Sequence, residues 1–308
     1  MKWTNKHNLP DPLYRAIVND KYVSRGYISV TALIDSPRIR VLKQRHSREL
    51  VQDVADNFWA LFGTACHHII ELAAEDCDDY MSEVKVEMEV LGKKLTGTLD
   101  LYDKIKKAID DFKVTSVWSA TKKEDYGTWE AQLNVYAVML RAMGYEVNQL
   151  NILAILKDWH RAEVARNYGD NGIYPSVPFK EISMKMYSNE KMLKFMEQRM
   201  QMHIDAEKID AILPDCTERE RWTKPSQYAV KHPDLKRAIR VFDTMEEAIA
   251  QLPIETQRRN AKKKGSGNKI FVETRHGRDV RCEGFCPVAQ FCDQRKRILA
   301  EQENQSKS

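Results

Sequence analysis

The chain has 308 residues, 43% of them hydrophobic and 31% charged, enough for one substantial core with a smaller module attached. Lys and Arg exceed Asp and Glu by 49 to 45, a formal charge of +4, so the total neither announces nor excludes a polyanionic partner, because a basic groove can sit inside a near-neutral sum. No apolar run reaches bilayer length and the opening MKWTNKHNLPDPLYR holds no apolar signal segment, which argues for a cytoplasmic protein without a membrane partner.

After the polar start, Tyr27 to Thr31 reads as a short strand or the start of a helix, and a loop is expected around Pro37. From about Asp53 to Ala74 the residues Val54, Phe58, Leu61, Phe62, Ala65, Ile69 and Ala73 recur at helical spacing, the pattern of a helix with one apolar face toward a core. Gly63 interrupts it at a cost of about 1 kcal/mol against alanine; a close approach by another segment or a break in the helix would account for it. Strand-like alternation follows over Glu83 to Leu91, with a hairpin turn at Gly92-Lys93, then over Lys94 to Tyr102 and Lys107 to Thr115. A helix from Thr128 to Met143, a strongly apolar strand from Leu150 to Leu156, a strand at Val177 to Met186 and a helix from Asn189 to Ile209 complete this part. The order predicts an α/β fold, a mixed sheet covered by helices, over 1–212. From 213 onward the chain turns more polar: a helix is expected at Met245 to Gln251, then a basic run from Arg258 to Lys264, a cysteine group, and a disordered tail past Arg297.

Asp111-Phe112-Lys113 is the sharpest local feature. Residues two apart on a strand share a face, so Asp111 and Lys113 project together while Phe112 turns away. Asp100, in Gly97-Thr98-Leu99-Asp100 on the preceding strand, comes beside Asp111 if the two strands pair as a hairpin. Two carboxylates held together repel, and a divalent cation relieves the repulsion; Mg²⁺ suits such oxygen ligands and keeps waters for a phosphate. An ion there lowers the pKa of water and neutralises a phosphodiester, with Lys113 stabilising developing negative charge or orienting the attacking water. An Asp-x-Lys alone is common on solvated sheet faces; the neighbours in sequence give it weight. His67 lies on the first core helix with Glu71 one turn on, and His68 points about 100° away. Gln132 and Tyr136, i and i+4 on the later helix, could hold a phosphate or position the lysine, and Tyr136 could equally be a packing residue.

The ordered set Gly63…His67, Gly97-Thr98-Leu99-Asp100, Asp111-Phe112-Lys113 and Gln132-Leu133-Asn134-Val135-Tyr136 resembles the RecB-like exonuclease branch of the PD-(D/E)XK nucleases, with a restriction-endonuclease-like core. The resemblance implies His67, Asp100, Asp111 and the Phe112 carbonyl as ligands to Mg²⁺ or Mn²⁺, Lys113 as the catalytic lysine, and Gln132 and Tyr136 as supporting site residues. It implies hydrolysis of DNA, single- or double-stranded, from its ends, in recombination, repair or replication beside the proteins of those processes. The alternative is a DNA-binding accessory protein with an idle site. No G-x-x-x-x-G-K-[ST] run is present, so no ATP-driven motor is expected in the chain.

Of the six cysteines, Cys66 and Cys77 stand apart, whereas Cys282, Cys286 and Cys292 are grouped, which favours metal binding over disulfides. Cys216, after Pro214, is the best fourth ligand, and four thiolates suit Zn²⁺ or an iron–sulfur cluster. One distant cysteine plus a C-terminal trio is similar to the iron–sulfur members of the RecB-like group, phage-encoded ones among them, which implies a 4Fe–4S cluster within a C-terminal extension, 213–308; structural Zn²⁺ is the alternative. The run Arg258 to Lys264, and Trp222 and Tyr228, are candidate nucleic-acid contacts.

Overall fold

The computed structural model describes residues 2–19, 27–121, 126–167, 174–261 and 269–307. It divides into two compact units, Met1–Pro214 and Asp215–Ser308. Among the described residues no helix is long and apolar enough to cross a membrane.

The first unit opens with β1 (Lys2–Thr4) and α1 (Asp11–Val18), then β2 (Ile28–Ser29), α2 (Val30–Ile34) and α3 (Pro37–Arg45). The loop expected at Pro37 is a helix instead. Proline is its first residue, where its missing N–H costs nothing and its fixed φ already suits the helix. Next come β3 (Val51–Asp53), a single 3-10 turn over Val54–Asn57, and α4 (Phe58–Glu75). Helix α4 runs unbroken through Gly63, and a Cβ there would meet nothing within 4 Å, so neither a break nor a close approach explains that glycine. The expected apolar face does not enter the core either: no residue of α4 is buried.

Strands β4 (Tyr80–Val90) and β5 (Lys93–Asp103) form a long antiparallel hairpin. Its turn is Leu91-Gly92, one residue earlier than the sequence suggests, with φ of 50° and 71°; two positive φ values give the turn whose twist matches the strands it joins. Strand β6 (Ala108–Thr115) follows, then α5 (Val117–Thr121), α6 (Gly127–Ala142) and β7 (Gln149–Leu156). Strand β7 is parallel to β6 over the full length of both, so the two helices between them make the crossover that parallel pairing requires. Then come α7 (Arg161–Asn167), β8 (Phe179–Ser183), shorter than expected, and α8 (Asn189–Lys208).

The main sheet runs β2-β5-β6-β7-β8, with β4 on the other edge of β5, and is the mixed, helix-flanked sheet that the element order predicts. Its core is filled by Leu95, Leu99, Ile109, Leu150 and Ile152 from the strands, Leu33 from α2, Leu133, Met139 and Leu140 from α6, and Met196 and Met200 from α8. Asn134 is the polar exception: its amide donates to the Lys185 carbonyl and its oxygen accepts from the Tyr187 N–H, both at 2.8 Å, so it pins the β8–α8 connection to α6 with its hydrogen-bonding satisfied.

One edge of β5 is divided between two partners. Strand β2 pairs in parallel with Leu95 and Thr96, whereas β6 pairs antiparallel with Leu101 to Asp103. Gly97 to Asp100 lie between these pairings, and Gly97 is required by packing: a Cβ there would stand 2.5 Å from Tyr136 Cε1 and 3.0 Å from Val30 Cγ2.

The second unit contains α9 (Glu218–Arg221), β9 (Thr223–Lys224), β10 (Gln227–Lys231), β11 (Arg240–Phe242), α10 (Met245–Ala261), β12 (Phe271–Arg275), β13 (Arg278–Asp279), α11 (Val280–Gly284) and α12 (Asp293–Lys307). Strands β11-β10-β12 make an antiparallel sheet, and β9 pairs with β13. Helix α10 continues through Pro253 to Ala261 rather than stopping at Gln251; Ala248 and Glu255 on it are buried, and this packing outweighs the hydrogen bond that proline removes. The tail expected to be disordered is helical to Lys307.

The Gly97 contact yields a stability prediction. Gly97→Ala forces its methyl group against the buried Tyr136 ring, and should destabilise the protein by about 1–3 kcal/mol. Urea unfolding of the variant would measure it; an unchanged midpoint would mean that the ring moves aside freely.

Candidate metal-dependent active site

The site forms where β5 and β6 cease to pair. Their last ladder partners are Leu101 and Asp110, and at the next position the Asp100 side chain replaces the missing backbone partner: its Oδ2 accepts the Phe112 N–H at 2.8 Å. Helix α4 brings His67 to the same point. His67 Nδ1 lies 3.5 Å from Asp100 Oδ2, and Nε2 lies 3.0 Å from the Phe112 carbonyl oxygen, with the Phe112 ring set edge-on to the imidazole. Hydrogen bonding to Asp100 raises the His67 pKa, against the opposing effect of burial.

Asp111 and Lys113 project from β6 as a pair, Nζ 2.5 Å from Oδ2, and Gln132 on α6 donates to Asp111 Oδ1 at 3.2 Å. Asp111 is only 2% exposed. Burial pushes its carboxyl up to about 6; the Lys113 ammonium opposes that shift and the nearby Asp100 charge adds to it. Asp110, next in sequence, serves a different purpose, since it accepts from the Asn151 amide on β7 at 2.9 Å. Tyr136 is buried with its ring against Gly97, so its visible part in the site is to shape the strand that bears Asp100.

The structure adds a residue that sequence reasoning passed over. One ligand atom each from His67, Glu83 and Asp100 lie within 4.8 Å of one another, the only such group among the described residues. Ser82 pairs with Leu101 and Val84 with Leu99, so Glu83 stands opposite Asp100. Its φ is +47°, a left-handed conformation costing roughly 1–2 kcal/mol for a side chain with a Cβ. Burial, then the charges of Asp100 and Glu71, raise its pKa. Alone, Glu83 looked like another charged residue on an alternating strand; its significance comes from the cross-strand register. His67, Glu71, Glu83, Asp100 and Phe112 line a small cleft.

The carboxylates and the main-chain carbonyl are the oxygen ligands that Mg²⁺ and Mn²⁺ take, and the one imidazole favours the more polarisable Mn²⁺ of the two.

The four cysteines singled out above all lie in the second unit. Cys216 precedes α9, Cys282 lies in α11, Cys286 follows it and Cys292 precedes α12. Gln294 grips Cys216 from both sides, accepting its N–H at 2.8 Å and donating to its carbonyl at 2.9 Å, while Arg295 donates to the Cys282 carbonyl. Burial pushes the Cys282 thiol up, and Asp279, Cys286 and Cys292 add to the shift. Trp222 stacks obliquely on Phe285. In the basic run, Arg258 pairs with Glu255, and Lys262 to Lys264 lie outside the described residues.

No known family model matches the chain, and no curated protein does. Among solved structures it is similar to SSO0001, at a TM-score of 0.41 and 15% identity over 62% of this chain and 84% of that one. It is also similar to a protein named "Putative exonuclease" from Eubacterium rectale, at a TM-score of 0.35 and 15% identity over 70% of this chain and 90% of that one. At such scores neither likeness bears on what this chain does.

The state of Asp111 is open to measurement. A buried carboxyl whose folded pKa exceeds its unfolded value near 4 destabilises the fold once ionised, so its contribution to stability declines as pH rises through the interval between the two. Asp111→Asn should therefore make the chelator-treated protein more stable than wild type above pH 6, by up to roughly 3 kcal/mol, with the difference vanishing below about pH 4. Paired urea titrations across that range would show a constant difference if Asp111 were already ionised at low pH.

Proposed function

We propose that the protein is a metal-dependent nuclease of the PD-(D/E)XK type that hydrolyses DNA phosphodiesters. The observation that supports this most directly is the convergence of His67, Asp100 and the Phe112 carbonyl beside the buried Asp111–Lys113 pair. His67, Asp100, Asp111 and the Phe112 carbonyl would hold Mg²⁺ or Mn²⁺, and Glu83 adds a carboxylate within reach of the first two. When bound, the ion supplies Lewis-acid chemistry, polarising water and the phosphate it meets.

The chain's own groups do the rest. Lys113 carries the positive charge that a pentacoordinate phosphorane dianion needs nearby, and Asp111 fixes its ammonium in place. Gln132 in turn fixes Asp111, so the ammonium is held rather than searching. In the hydrolysis, an oxygen–phosphorus bond forms from water, the ester bond to one sugar oxygen breaks, and a proton from the water ends on that leaving oxygen. A preference for DNA ends, and a place in recombination, repair or replication of a phage or its bacterial host, come from the family resemblance. The grouping of Cys282, Cys286 and Cys292 in the sequence, with Cys216 in the same unit, and the family resemblance are the grounds for a 4Fe–4S cluster, with Zn²⁺ as the other occupant that thiolates suit; either would contribute its binding energy to folding of the second unit.

End-labelled single- and double-stranded DNA incubated with and without Mg²⁺ tests the enzyme. Cleavage should require the ion, and Lys113→Ala should reduce its rate roughly a hundredfold or more while DNA binding survives; metal-independent or Lys113-independent cleavage refutes the proposal. For the cysteines, protein purified without oxygen should be brown, and Cys286→Ala should abolish the colour. Colourless protein carrying zinc would overturn the cluster.

A further inference from the structure

Helix α4 presents to solvent what most helices bury. Phe58, Trp59 and Phe62 are 39%, 53% and 42% exposed, and they contact one another edge to face, with ring centroids 6.0 Å apart in both adjacent pairs. Exposed aromatic groups of this size mark an interaction surface. The Lys157 ammonium stands 4.3 Å from the centroid of the Trp59 ring.

Two hydrogen bonds, one of Lys157 itself and one of its neighbour, tie this segment to the far end of β6. The Lys157 N–H donates to the Thr115 carbonyl at 2.9 Å, and the neighbouring Asp158 accepts the Val117 N–H at 2.7 Å. The residue after Val117 is Trp118, the most exposed tryptophan at 71%. Both tryptophans thus stand at the carboxyl end of the parallel pair β6–β7, where open α/β sheets bind their ligands.

The patch is carried by elements that also carry the candidate active site. Trp59 lies about 12 Å from His67 along the same helix, and Trp118 follows Lys113 by five residues on the chain that leaves β6.

We propose that Trp59 and Trp118, with Lys157 between their elements, form a stacking platform for unpaired DNA leading into the active site. The proposal rests on the nuclease reading for the identity of its occupant. Indole faces in solvent bind bases only where the bases have left a duplex, and they do so with little regard to sequence. Lys157 and the exposed Arg161 nearby complement the phosphates. An apolar partner helix would leave both cations at the rim unmatched, whereas a polynucleotide uses rings and cations together.

The test is binding of a fluorescein-labelled oligo-dT and a blunt hairpin duplex, followed by polarisation in EDTA so that nothing is cut. Wild type should prefer the single strand. Trp59→Ala and Trp118→Ala should each weaken single-strand binding roughly tenfold, with duplex binding unchanged and the circular dichroism spectrum of wild type. Trp59→Phe, which keeps a ring, should recover most of the loss. Equal affinity for both DNA forms, unaltered binding by Trp59→Ala, or preference for an RNA of the same sequence overturns the proposal. So does a Trp59→Ala variant that changes only the sedimentation of the protein, which would make the face a contact between copies. The two readings fail separately: tryptophan-dependent binding without metal-dependent cleavage retires the nuclease and keeps the platform, and cleavage of single strands untouched by Trp59→Ala does the reverse.

Discussion

The hydrogen bond from the Phe112 N–H to the Asp100 carboxylate organises the site. Paired strands satisfy their backbone groups through one another, so a strand that leaves its partner must find another acceptor for each buried N–H. Here β6 leaves β5 after Asp110, and the acceptor is a charged side chain. That substitution holds a carboxylate at the fork of the sheet, within 3.5 Å of His67, and leaves the Phe112 carbonyl free to face the same imidazole.

From this fork the electrostatics follow. Asp111 is buried against Lys113 and Gln132, Asp100 lies close by, and Glu83 faces Asp100 across the hairpin. Burial, with the neighbouring carboxylate charges adding to it, pushes Asp111 and Glu83 above their ordinary range. A protein tolerates such crowding of acids where a cation can answer it, and the left-handed backbone of Glu83 is a second local cost at the same place.

The exposed face of α4 belongs to the same economy of placement. A helix fully sunk into the core could not hold His67 at the edge of a cleft, and here Phe58, Trp59 and Phe62 stay exposed. The amphipathic pattern was real, yet its apolar side was not a core face. Periodicity states which residues share a side of a helix but not what that side meets.

Sequence alone determined what is local or periodic: the α/β order, and the placing of Asp111 and Lys113 on one side of a strand, because strand geometry alternates every residue. The grouping Asp100, Asp111, Lys113 and Gln132 could also be read from motif order. Only the tertiary structure decided what depends on register and on what lies beyond an element: that β5 shares one edge between β2 and β6, that Gly97 is pressed by Tyr136, and that Glu83 meets His67 and Asp100. Cross-strand partners are far apart in the chain, and nothing in a strand's own residues names the residue opposite. The same holds for the far half of α10, where packing around the buried Glu255 outweighed a proline.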